Sequence, residues 1–236
     1  MSVPLWAWEL AQKFWMQTVP RDDLFQAINH SPFDLAILER PRLCLSHVRD
    51  YLRRASIPVP PTIDDRPLRA CLVARGNGGL IFLDSEDPLE ERRFSLAHEL
   101  AHFLRHEWQR SQRRGALDDL TSLGDRLLGI LRGLECDSFA HMLARFPDGI
   151  PPAVARLEAE ADTLAVELLA PEQEVRQLSY DATSAQKVYR DLFGLPEGIA
   201  ARQAKWLFPG PAESPLTDRL RQLLRTSRTS DLSRET

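Results

Sequence analysis

In "RFSLAHELAHFLRH", Arg93 to His106, the residues His98, Glu99 and His102 spell H-E-x-x-H, and that spacing limits the possible folds more than any other feature of the chain. At about 100° per residue, His98 and His102 lie within about 40° of each other and one turn apart, with Glu99 about 100° to the side. Leu96, Leu100, Phe103 and, less centrally, Ala97 and Leu104 occupy the opposite side. The stretch therefore predicts a helix, N-capped by Ser95, whose apolar back faces the core while both imidazoles aim at one point. Two neutral imidazoles on successive turns can share a tetrahedral cation, and the glutamate beside the first can reach a water there without being a ligand. A bare H-x-x-x-H is more often a pair of surface histidines; the glutamate and the apolar back favour the metal site. His106 falls on the same side but eight residues beyond His98, a rise of about 12 Å, so it reads as a capping or surface histidine.

A third ligand is expected from a later helix, and "VARLEAEADTLAVELLAP" is the candidate. With Ala161 at zero, Val154, Leu157, Leu164, Ala165, Leu168 and Leu169 span an arc from about −60° to +80°. Glu158 falls inside that arc, at about +60°, and Asp162 at its border, near +100°; Glu160 and Glu167 point away. An ionised carboxylate in an apolar stripe needs a partner, and a cation held by His98 and His102 would be one. Asp162, one turn on, is placed to hold a ligand histidine by its other ring nitrogen. The competing reading leaves Glu158 at the edge of the stripe, paired with an arginine such as Arg156 or Arg202, and Glu160 is the rival ligand, directed towards solvent.

Around these two segments, residues 5–16 and 21–54 read as helices broken by Pro20, Pro32 and Pro41. "IPVPPTIDDRP" reads as a linker or extended edge. "LRACLVARGNGGLIFLD" reads as a β-hairpin turning at its glycines. A helical insertion is expected at about 115–150, a strongly periodic helix from Val154 to Leu169 stopped by Pro171, two short helices around Gly194 to Pro196, and a short basic helix with a polar tail over 209–236. This gives an N-terminal helical segment (1–60), a domain over 61–208 and a C-terminal appendage. The predicted class is α+β, mostly helical, with a small sheet packed on the H-E-x-x-H helix.

With 43% hydrophobic residues over 236 positions the chain can bury a substantial core. The net charge of −4 provides no field that would draw it to nucleic acid or a membrane. No apolar run approaches the roughly 20 residues of a membrane span, and the first residues lack the pattern of a secretory leader. Cys44, Cys71 and Cys136 match neither a disulfide framework nor a thiolate cluster. They read as small core residues, and a cytoplasmic location is the expectation.

The segments "RRFSLAHELAHFLRH" and "EAEADTLAVELLAP" resemble the R-R-F-x-x-A-H-E-x-x-H and E-x-x-A-[ND]-x-x-A-x-x-L-L-x-P patterns of the ImmA/IrrE metallo-endopeptidases. The hairpin, and "FGLPEGIAARQAKWL", similar to that family's degenerate helix-turn-helix (here about 184–208), extend the likeness over about residues 66–110 and 154–208. The resemblance implies a zincin-like core and metal ligands at His98, His102 and Glu158. It also implies a general base at Glu99 and an orienting acid at Asp162. The metal would be zinc, with manganese as the alternative, and the substrate a helix-turn-helix repressor. Departures are the 55 residues between His102 and Glu158, Ala170 where methionine is common, and an amino-terminal segment unlike a repressor-type DNA-binding domain.

Two other functions compete. The first is a regulatory module that binds a partner without cutting it, through the insertion or through Trp6, Trp8, Phe14 and Trp15, although aromatics at helical spacing more often form core. The second is DNA binding through "FGLPEGIAARQAKWL" and Arg219, Arg221, Arg225 and Arg228, for which a solvated face is the better reading. Direct nucleic-acid binding is therefore not expected. Tyr180, Tyr189 and His141 are candidates for an oxyanion donor, with nothing to choose among them.

Overall fold

The structure, a computed structural model, describes residues 2–18, 23–56, 65–75, 78–108, 135–136 and 152–209. The expected insertion apart from Glu135 and Cys136, which are strand and not helix, the C-terminal basic helix with its arginines, most of the proline-rich linker, the hairpin's turn residues and His141 lie outside them, as does the side chain of His106.

Strand β1 (Asp34–Arg40), β2 (Ala70–Arg75) and β3 (Gly78–Asp84) form a mixed sheet in the order β1-β3-β2. β2 and β3 are the expected antiparallel hairpin, with Val73 opposite Leu80, and β1 runs parallel to β3, with Ile37 opposite Ile81. A two-residue strand β4 (Glu135–Cys136) adds to β2 at Ala70 and Cys71. Alternation divides the hydrophobic residues between two faces. Leu35, Ala70, Leu72, Ile81 and Leu83 point into the main core, while Cys71, Val73 and Phe82 join Leu45, Val48 and Leu52 of α3 (Leu45–Arg54) in a second one.

Over the main-core face lies α4 (Leu89–His102), and across α4 lies α5 (Pro152–Leu169). Helix α1 (Leu5–Met16) packs on α5, where the Trp15 indole N–H donates to the Leu168 carbonyl at 3.1 Å. A short α2 (Leu24–Asn29), N-capped by Asp23, leads into β1. Beyond α5 come α6 (Glu172–Leu178), α7 (Ala182–Lys187), which continues as a π-helical turn over Val188–Leu192, and α8 (Glu197–Leu207). Gly194, at φ +63°, makes the left-handed link between that turn and α8, as the glycine-proline signal predicts.

Two expectations are corrected. Residues 34–40, read as helix, are a strand. "DLAILER" follows Pro32 and buries Leu35 against the main core, and β3 supplies the backbone partners that an isolated reading of the segment lacks. Helix α4 begins at Leu89 after Pro88, not at Ser95: Glu90 and Glu91 lie in its first turn, where acids favour the helix dipole, and Ser95 is buried within it. Helix α6 has no counterpart in the sequence reading.

Candidate metal centre

Every residue of α4 from Phe94 to His102 is buried. The apolar back rests on the sheet and on the α1–α2 side of the core, as the helix angle requires, and the polar front is sealed by α5. His98 is 3% exposed, and Glu99 and His102 are both 0%. Groups this polar are buried only when the chain supplies partners, and α5 supplies them.

Glu158, inside the apolar stripe of α5, reaches over both imidazoles. Its Oε2 lies 3.1 Å from His98 Nε2 and 3.5 Å from His102 Nε2, and the two Nε2 atoms are 3.0 Å apart. One ligand atom from each residue lies within 4.8 Å of the others. Asp162 Oδ1 accepts the Nδ1–H of His98 at 2.9 Å, and Arg202 of α8 donates to Asp162 Oδ2 at 2.7 Å. That bond gives neutral His98 the Nδ1–H tautomer, so its Nε2 lone pair faces Glu158 Oε2, which is itself an acceptor. Two acceptors at this separation need a proton or a cation between them.

Burial pushes the Glu158 carboxyl up, but hydrogen bonds to His102 and His98 outweigh it and hold the group at about 2. Burial pushes His102 down, towards the neutral imidazole a metal requires. Burial raises Asp162, and its bond to His98 and the charges of His98 and Arg202 bring it below the usual carboxylate range. Glu158 Oε1 is buried with no hydrogen-bond partner among the described residues. Two imidazole nitrogens and one carboxylate oxygen, converging and shielded from solvent, suit a borderline divalent ion with one position left open.

The structure brings His98, His102, Glu158 and Asp162 together, with Glu99 next to His98 on α4. The arginines that the competing reading offered to Glu158 go elsewhere: Arg156 to Glu160 at 2.8 Å and Arg202 to Asp162. Glu160, the rival ligand, also takes Arg105 at 3.0 Å and is held in that network rather than left to solvent. Tyr180 is exposed, and Tyr189 is buried in the wall of a cavity of about 450 Å³ that also includes Asp162, Glu167, Glu172, Arg202 and Trp206.

Comparison with known families adds one match: the model of a peptidase family described as the IrrE N-terminal-like domain fits residues 63–128. This supports assignment to the ImmA/IrrE family. The matched segment contains β2, β3 and α4 with His98, Glu99 and His102, and it ends before Glu158 and Asp162, so those two enter the site through the geometry of α5. No curated protein and no solved structure gives a significant match. Among the described residues no helix is long and apolar enough to cross a membrane.

Arg202 is the residue that sequence reasoning missed: with Arg156 it figures only in the disfavoured competing reading of Glu158, and the structure places it on Asp162. Its only sequence signal is a position on the second short helix; the fold alone turns that helix onto α5. Glu167 was also misread. It was assigned to an outward face, but it is 1% exposed, because the α5–α6 junction and residues 2–4 cover that side.

Proposed function

We propose that the protein is a metal-dependent endopeptidase that hydrolyses a peptide bond in a protein substrate. The observation that carries this reading is the convergence of His98 Nε2, His102 Nε2 and Glu158 Oε2 on one buried point, a donor set of two imidazoles and one carboxylate. Zinc is the metal that best fits two imidazoles and a carboxylate, with manganese as the alternative. When bound, the ion supplies Lewis acidity that acidifies a water and polarises the scissile carbonyl.

The chain's own residues do the rest. His98 is oriented by Asp162, His102 is kept neutral by burial, and Glu158 supplies the negative charge that offsets the cation. Glu99, next to His98 and screened from bulk water, accepts the proton of the attacking water and passes it to the leaving amine. The substrate class implied by the family is a helix-turn-helix transcriptional repressor, and cutting it would link the enzyme to stress-response or mobile-element regulation.

Glu99→Gln is the test, because the substitution keeps the shape and removes the base. Incubated with a small helix-turn-helix repressor encoded beside this gene, the wild type should yield two fragments. The variant should lose at least about a hundredfold in rate while binding zinc as tightly as before. Undiminished cleavage by the variant would exclude this mechanism, and tight repressor binding without cleavage by either protein would favour a regulatory module instead.

A further inference from the structure

The bond between Asp162 and His98 is half of a longer arrangement. Asp162 presents Oδ1 to His98 Nδ1–H at 2.9 Å, and its other oxygen is engaged by Arg202 Nη2 at 2.7 Å. His98 and Asp162 belong to α4 and α5, whereas Arg202 arrives from α8, the last helix described. The Asp162 side chain is 29% exposed and that of Arg202 53% exposed, and both line the 450 Å³ cavity. Water therefore reaches the carboxylate, and without a fixed donor on Oδ2 the group is free to rotate about its terminal torsion and to share Oδ1 with solvent.

We propose that Arg202 is a positioning residue for the metal centre: it fixes Asp162 in the rotamer that locks the His98 ring and directs its Nε2 at the ion. The inference rests on the endopeptidase reading and deepens it, because it makes the helical pair at the end of the fold a part of the site. A cationic donor suits the task because its charge-assisted hydrogen bond engages the one carboxylate oxygen that His98 leaves open. Residues that orient a metal-bound imidazole in this way typically carry a factor of about 10–100 in metal affinity.

The measurement is the zinc dissociation constant of the full chain, by competition with a chromophoric chelator, for wild type, Arg202→Gln, Arg202→Lys, Asp162→Asn and the double variant Arg202→Gln/Asp162→Asn. Arg202→Gln should weaken zinc binding about tenfold, and lysine at that position should restore most of the loss. In the Asp162→Asn background Arg202→Gln should add nothing, since the residue it acts through is gone. A general loss of fold would weaken binding by the same factor in both backgrounds, so independent, multiplying losses would overturn the proposal. Unchanged affinity in Arg202→Gln would do the same. A wild-type chain that takes up neither zinc nor manganese would overturn the endopeptidase reading and this inference with it, whereas normal wild-type uptake with an unaffected Arg202→Gln removes the inference alone.

Discussion

Two glutamates on α5, Glu158 and Glu167, are shifted in opposite directions by their surroundings. Both are pushed up by burial, but Glu158 meets two imidazoles and is held at about 2, whereas Glu167 accepts one backbone N–H, from Glu172, beside the negative charges of Glu172 and Glu174 and rises to about 7. A carboxyl raised in the folded state binds a proton there that the unfolded chain has released. Stability should therefore fall as pH rises from about 4.5 to about 7 and level off above that. Glu167→Gln keeps an acceptor for the Glu172 N–H and removes the titration. We expect it to flatten the melting-temperature profile over that window and to gain on the order of 2 kcal/mol at pH 8 relative to pH 5. An unchanged slope in the variant would show that Glu167 titrates normally. Glu158 was legible in the sequence because a lone acid inside an apolar stripe demands a partner. Glu167 was not, because what buries it is a helix and an amino-terminal segment remote from its own periodicity.

At the scale of elements, two glycines stand at close approaches of different kinds, one against backbone and one against a side chain. A Cβ at Gly78 would lie 2.2 Å from the Asp34 carbonyl oxygen, in the register where β1 meets β3. Gly78→Ala should force β1 outward and cost at least about 2 kcal/mol, read as a lower denaturation midpoint at unchanged m-value. A Cβ at Gly194 would meet Arg93 Nη1 at 2.5 Å, and Arg93 also donates to the Phe193 carbonyl. There the neighbour is the mobile end of a side chain, so Gly194→Ala should cost mainly its positive φ, about 1 kcal/mol. Equal losses at the two positions would contradict this account. The hairpin, α4 and α5 were legible because each carries its own period or turn chemistry. Strand β1 was not: its seven residues lie between helices, and its parallel partner is more than forty residues away. Ser95 was taken for an N-cap because serine before an apolar run is the usual start signal. The acidic turn after Pro88 extends the helix past it.

Across the whole molecule, the sheet separates two cores, and the larger joins α1, α4, α5 and α8 around one polar cluster. That arrangement explains why segments 55 residues apart in sequence can hold one ion: α4 is fixed by the sheet, and α5 is fixed by α1 and α8. The family match reaches the helix with the two histidines, and packing brings Glu158 to them. The most direct test is elemental analysis of the purified full chain beside its Glu158→Ala variant, after dialysis against dilute zinc. The wild type should retain about one divalent ion per chain, and the variant, folded by circular dichroism, should retain almost none. Equal metal content in the two proteins, or none in the wild type, would contradict the account.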